Sequence, residues 1–98
     1  MAELIKLTPE LLRGQAETLT TDAQRNDDVV TSLDGVINGL VSGWEGPAQE
    51  AFRNSYAQKR ATFQSFTETM RTFAQKIKDF ADVMEREEDR QKKIAEGL

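Results

Sequence analysis

Apolar residues recur along this chain at alternating steps of four and three, in two long runs separated by a break near the middle. The first run is Leu12, Ala16, Leu19, Ala23, Asn26, Val30, Leu33, Ile37, Leu40 and Trp44, and nine of these ten are apolar. That spacing keeps side chains on one face of an α-helix with a coiled-coil-like period. Asn26 is the exception, read either as a register-setting polar position or as an exposed gap in the stripe. Val29, Val36 and Gly43 form a second, narrower stripe, one residue before members of the first. Thr8-Pro9-Glu10 supplies a hydroxyl N-cap, a proline at the first helical position and an acid in the first turn. Leu7 and Leu12 are placed to form a hydrophobic staple. Residues 1–7 read as an extended lead-in.

After Pro47 the pattern restarts as Ala48, Phe52, Tyr56, Lys59, Phe63, Phe66, Met70, Phe73, Ile77, Phe80 and Met84. All five phenylalanines and the single tyrosine lie on this stripe. The expectation is that small residues of the first arm accept these large ones, making the phenylalanines the core of the hairpin and of a dimer. Ala74 and Ala81 form a small-residue strip one position further on. From Glu85 to Lys93 the chain is almost wholly charged, with acids four residues before bases in Glu88–Lys92 and Asp89–Lys93. The predicted elements are a helix over about 9–41, an elbow over 42–46, a helix over about 47–90 and a frayed tail over 91–98.

The elbow, Gly43-Trp44-Glu45-Gly46-Pro47, holds the only tryptophan. Gly43 and Gly46 are free to take backbone angles that other residues avoid, and Pro47 is pre-set for the first turn of a new helix. Arms of roughly 48 Å and 63 Å, at 1.5 Å per residue, joined by so short a loop must lie antiparallel. Two helices cannot cover their own apolar stripes, and so small a core rarely suffices alone. The predicted fold is therefore all-α: an antiparallel two-helix hairpin that dimerises into a four-helix bundle. Val29, Val36, Phe63, Phe66, Met70 and Phe73 are the candidate dimer-interface residues. Gly35, Gly39 and Gly43 recur every four positions, either as a groove for another helix or as a weakly constrained solvent face.

Composition narrows function by exclusion. The chain has 98 residues, 13 basic and 17 acidic, for a net charge of −4. It lacks the basic patch expected of a nucleic-acid partner. With neither histidine nor cysteine, the usual zinc ligands, the commonest general base and every thiol nucleophile are missing. No catalytic residue, metal site or cofactor is expected, and Asp27-Asp28 would hold calcium only loosely. The N-terminus does not read as a secretory signal, and no apolar stretch approaches membrane-spanning length. Export, if it occurs, must use another route than a cleaved signal peptide.

Trp44-Glu45-Gly46 set between two long amphipathic arms, in a chain of about one hundred residues, resembles the WXG family, the small substrates of type VII (ESX-type) secretion. Ile5-Lys6-Leu7-Thr8-Pro9-Glu10-Leu11-Leu12-Arg13 and Pro47-Ala48-Gln49-Glu50-Ala51-Phe52 also look like the family, especially its homodimeric Gram-positive members. The resemblance implies a helical hairpin, pairing with itself or a sister WXG chain, and export of the folded dimer by a membrane-anchored secretion ATPase. A larger co-secreted toxin is a further possible partner. It assigns Trp44, Glu45 and Gly46 to the secretion motif. Many members carry Tyr-x-x-x-Asp/Glu after the second helix. Here the only tyrosine, Tyr56, is followed by Arg60, so Met84 and Glu88 are the candidate export signal, with Val83, Glu87 and Ile94 as an alternative register.

The expected role is thus a non-catalytic secreted effector, co-secreted partner or secretion chaperone, cytoplasmic before export. An intracellular helical adaptor is the competing reading, and a membrane-active protein a more distant one.

Overall fold

The computed structural model describes residues 7–98; the lead-in expected over 1–7 lies outside the described residues except for Leu7. Two helices account for the described chain, α1 over Pro9–Val41 and α2 over Pro47–Glu96. They lie side by side in a rod of 79 × 30 × 16 Å. Its radius of gyration, 22.3 Å, far exceeds the roughly 13 Å of a globular domain of this length.

Local chemistry sets the boundaries. Thr8 is extended, and its Oγ1 accepts a hydrogen bond from the Leu11 amide at 3.1 Å while its carbonyl accepts from Leu12 at 3.0 Å. This is the N-cap geometry that satisfies otherwise orphaned amides. Leu7 remains 54% exposed, so the expected staple adds little. At the other end Ser42 donates its amide to Asn38 and its hydroxyl to the Gly39 carbonyl, at 3.2 and 2.9 Å. Of the two elbow glycines, only Gly46 uses its freedom: its φ of 113° and ψ of 178° lie where a Cβ is strained. Gly43 needs no such angle. Pro47 then opens α2, and the Gly46 carbonyl accepts from Gln49 and Glu50.

The tail expected to fray over 91–98 is instead helical through Glu96. Pairs within the helix support it: Arg90 binds Glu87, and Gln91 reaches the same carboxylate.

The seam between the helices differs from the expected one. Pro9 and Val41 are buried at the two ends of α1, and along the length of the seam the buried residues are Ala16, Ala23 and Val30 of α1 against Thr67, Ala74 and Ala81 of α2. On each helix they repeat every seven residues. Small side chains therefore meet small side chains, and the strip one position beyond the phenylalanines closes the hairpin. Phe66, Phe73 and Phe80 stay 59%, 57% and 60% exposed. They are not the core of the single hairpin.

Asn26 has a defined role in this seam. Its Nδ2 donates to Thr67 Oγ1 at 2.6 Å and more weakly to the Phe63 carbonyl at 3.4 Å, while Thr67 Oγ1 donates to that same carbonyl at 3.1 Å. The amide thus ties one position of α1 to one position of α2, the register-setting alternative. The stripe Gly35, Gly39 and Gly43 is open, with nothing within 4 Å of an added Cβ, so it makes no close approach to α2.

Overpacking the seam should be costly. Ala74→Leu is expected to lower stability by about 1–3 kcal/mol, whereas exposed Gln75→Leu should stay within about 0.5 kcal/mol. Urea unfolding midpoints at equal protein concentration measure the difference.

Candidate functional site

Two flanks of the hairpin have opposite character, and helix geometry explains why. A step of one residue back turns about 100° one way around a helix, and a step of four forward turns about 40° the other. Phe66, Phe73 and Phe80 each stand one residue before a buried seam residue of α2, and Val29 stands one before Val30 of α1. The ionic residues Arg71, Lys78 and Glu85 each stand four residues after a seam residue of α2. Asp27 and Asp34 stand four after Ala23 and Val30. One flank therefore gathers apolar side chains from both helices, and the opposite flank gathers charge.

The charged flank ties the helices together along their length. Arg13 binds Asp82 and Glu85, Glu17 binds Lys78 at 3.2 Å, Asp27 binds Arg71 at 2.5 Å, and Asp34 binds Arg60. Arg71 also reaches Glu68 on its own helix. The Asp27 carboxylate is thereby held by a guanidinium, which disfavours the loose calcium role considered for Asp27-Asp28. Nearest the elbow, Arg60 grips Asp34 in a bidentate fork at 2.8 to 3.1 Å, and Tyr56 Oη donates to Asp34 Oδ1 at 2.6 Å. Bidentate, charge-assisted contacts of this kind are the strongest in the class.

The apolar flank contains the six interface candidates. Val29 is 57% exposed, Val36 67%, and Phe63 45%; Phe66 and Phe73 share their flank, and Met70 is half-buried. Leu19, Leu33, Ile37 and Ile77 are half-buried beside them. Phe80 extends the same face and was not among the candidates, although its spacing from Phe73 places it there.

At the elbow, the Trp44 ring packs on Phe52 in the second turn of α2, with centroids 5.5 Å apart and planes tilted by 49°. Trp44 is half-buried, and Glu45 and Gly46 are exposed. The Trp44 amide donates to the Val41 carbonyl at 3.1 Å, and Gln49 Nε2 crosses the elbow to that carbonyl at 3.3 Å. At the opposite end, Arg13 in the second turn of α1 already meets Glu85. The last turns of α2 therefore run past the start of α1. Half-buried Met84, next to Glu85, lies level with α1, and exposed Glu88 lies four residues further toward that overrun; the two line a shallow groove with Phe80, Val83, Glu87 and Gln91. Trp44 and the pair Met84 and Glu88 thus lie at opposite ends of one hairpin and do not meet within it.

A family model described as proteins of 100 residues with WXG matches residues 4–89. The chain belongs to the WXG100 family. Among WXG100-like relatives, Protein YukE of Bacillus subtilis is 33% identical over 85 residues, spanning 87% of this chain and 88% of YukE. The Bacillus anthracis secreted protein EsxB superposes with a TM-score of 0.79 at 30% identity, covering 90% of this chain and 99% of that one. EsxA of Geobacillus thermodenitrificans gives a TM-score of 0.75 at 29% identity, covering 92% and 97%. The hairpin is thus the fold of this family, and its relatives include secreted proteins. Among the described residues, no helix is long and apolar enough to cross a membrane.

The inter-helix contacts missed from sequence were Tyr56–Asp34–Arg60 and Asn26–Thr67. Their signal lay in Asn26 and Asp34, polar residues standing three and four positions after the seam residues Ala23 and Val30, where coiled-coil partners pair.

Asp34 makes the hairpin sensitive to acid. Hydrogen bonds from Arg60, and secondarily from Tyr56, hold its carboxyl below the ordinary value of 3.8. The unfolded chain then binds the proton more readily, so this contribution is full above the ordinary carboxylate range and disappears as pH falls through the depressed folded value. Melting temperatures of the wild type and Asp34→Asn should differ near neutral pH and converge at strongly acidic pH. A constant difference would show that Asp34 acts without titrating.

Proposed function

We propose that this chain is a non-catalytic substrate of type VII secretion, folded as a dimer before export. It would act as an effector, a co-secreted partner or a secretion chaperone. One observation carries the reading: an unbroken run of exposed phenylalanines on a hairpin whose own seam consists of alanine, valine and threonine. Phe66, Phe73 and Phe80, with Val29 and Val36, leave far more apolar surface on one flank than scattered exposed residues would. Burial of such side chains contributes about 1.5–3 kcal/mol each, which the small seam lacks. A second hairpin packed on this flank makes a four-helix bundle with its charged flanks outward.

Pairing also gives the two hairpin ends a reason to be read together. If the elbows lie at opposite ends of the bundle, Trp44-Glu45-Gly46 of one chain lies beside the overrunning α2 of the other, with Met84 and Glu88. A membrane-anchored secretion ATPase would then recognise a surface that exists only in the folded dimer. The second chain is the same protein or a sister WXG protein, and a larger toxin can accompany it. The route is from the cytoplasm outward without a cleaved signal peptide.

Two experiments test this. Sedimentation equilibrium at micromolar concentration should give a dimer, and Phe66→Asp with Phe73→Asp should give a monomer or unfolded chain; a stable wild-type monomer contradicts the reading. In a strain with active secretion machinery, Trp44→Arg should reduce the protein in culture supernatant several-fold, while the purified variant retains its helical content by circular dichroism. Normal export of Trp44→Arg confines the elbow to a structural role.

A further inference from the structure

The α1 row Leu12, Leu19, Asn26, Leu33 and Leu40, three residues after the seam positions, has one polar member, and its position carries information. Asn26 is half-buried between Leu19 and Leu33 on the stripe that borders the phenylalanine face. α1 spans Pro9–Val41, so Asn26 stands one residue from its centre, about 1.5 Å along the axis. One of its amide protons is committed to Thr67 Oγ1 at 2.6 Å. The other reaches the Phe63 carbonyl only at 3.4 Å, and that carbonyl already accepts from Thr67 at 3.1 Å. The second amide proton is therefore released at little loss, and Oδ1 is an acceptor on a face that pairing would dry.

A twofold axis in the plane of this face has two orientations. If it runs along the hairpin, the elbows share an end and α1 lies over the α2 of the second copy. Asn26 then meets the level of Phe63, Phe66 and Met70, and Oδ1 is buried without a donor, which is disfavoured. If the axis runs across the hairpin, the elbows lie at opposite ends and α1 lies antiparallel over the other α1. Only the residue on the axis then meets its own equivalent; full overlap of the two α1 helices puts the axis at their centre, one residue from Asn26. The two amides can exchange N–H and C=O, as an isologous interface requires of a residue on its axis.

We infer that Asn26 is the pairing-selection residue of this hairpin, meeting the Asn26 amide of a second copy whose elbow lies at the opposite end. This rests on the dimer reading above and deepens it, because the arrangement is the one that sets Trp44 of one chain beside Met84 and Glu88 of the other. A single polar residue in an apolar seam is a known means of fixing register and orientation at some expense of stability. The occupant favoured is a second copy, since self-pairing amides match each other. A sister chain with an apolar residue at this level would leave Oδ1 unanswered.

The chain contains no cysteine, so introduced thiols report the arrangement cleanly. Leu33→Cys alone should not cross-link with a short bis-thiol reagent, but mixed with Leu19→Cys it should, because the two positions lie seven residues either side of the axis; both variants retain Asn26. Asn26→Leu, placed behind the same Leu19→Cys and Leu33→Cys probes, should melt no lower than its parent yet lose cross-linking several-fold and broaden in sedimentation. A dimer by sedimentation with no cross-link between 19 and 33 overturns the inference and leaves the dimer standing. Unchanged cross-linking in Asn26→Leu also overturns it. A monomer overturns both this inference and the dimer reading.

Discussion

The structure depends on how closely two helices approach along a seam of very small side chains. Ala16, Ala23 and Val30 face Thr67, Ala74 and Ala81, and none of these presents more than a few carbon atoms to the other arm. Small residues let helix axes draw together, but they bury little apolar area, and burial scales with area. The hairpin therefore has a well-defined line of contact and a modest core. Everything larger is displaced to the flanks: phenylalanines to one side, arginine–carboxylate pairs to the other.

That displacement gives the two flanks different tasks. The paired charges Arg13–Glu85, Glu17–Lys78, Asp27–Arg71 and Asp34–Arg60 are partly exposed, and each isolated pair of this kind contributes only modestly. Spread along the whole contact, they discriminate against slipped registers, since a shift of one turn would bring carboxylates opposite carboxylates or leave guanidiniums alone. Asn26–Thr67 adds a contact that has no equivalent one turn away. The apolar flank has no such internal specification and presents its surface outward, where a second hairpin supplies both burial and partner choice.

The ends complete the design. Gly46 takes an angle closed to other residues, and Trp44 resting on Phe52 stiffens the turn it creates. At the far end α2 outruns α1, held helical by pairs such as Arg90–Glu87. A single hairpin keeps these two features apart by its own length. Any recognition that uses both must draw them from two chains, which links folding, pairing and export in the proposed function.

Much of this was legible in the residue pattern. The four-three spacing from Leu12 to Trp44 and from Ala48 to Met84 dictated two long helices, because only a helix places those positions on one face. Thr8-Pro9-Glu10 fixed where the first begins, and Gly46-Pro47 fixed where the second begins, through caps and backbone angles that are local. The Trp44-Glu45-Gly46 triplet between such arms pointed to the family. What periodicity left open was which of two adjacent stripes turns inward. The phenylalanines and the alanine–threonine strip beside them are one residue apart and share a period, so either satisfies the pattern. Tertiary structure decided for the small strip, because only there do the charged residues four positions on find partners across the seam and Asn26 find Thr67. The last stretch of α2 stays helical for a local reason, since its support comes from side chains of the same helix, such as Arg90 and Glu87, rather than from the apolar spacing that fades after Met84.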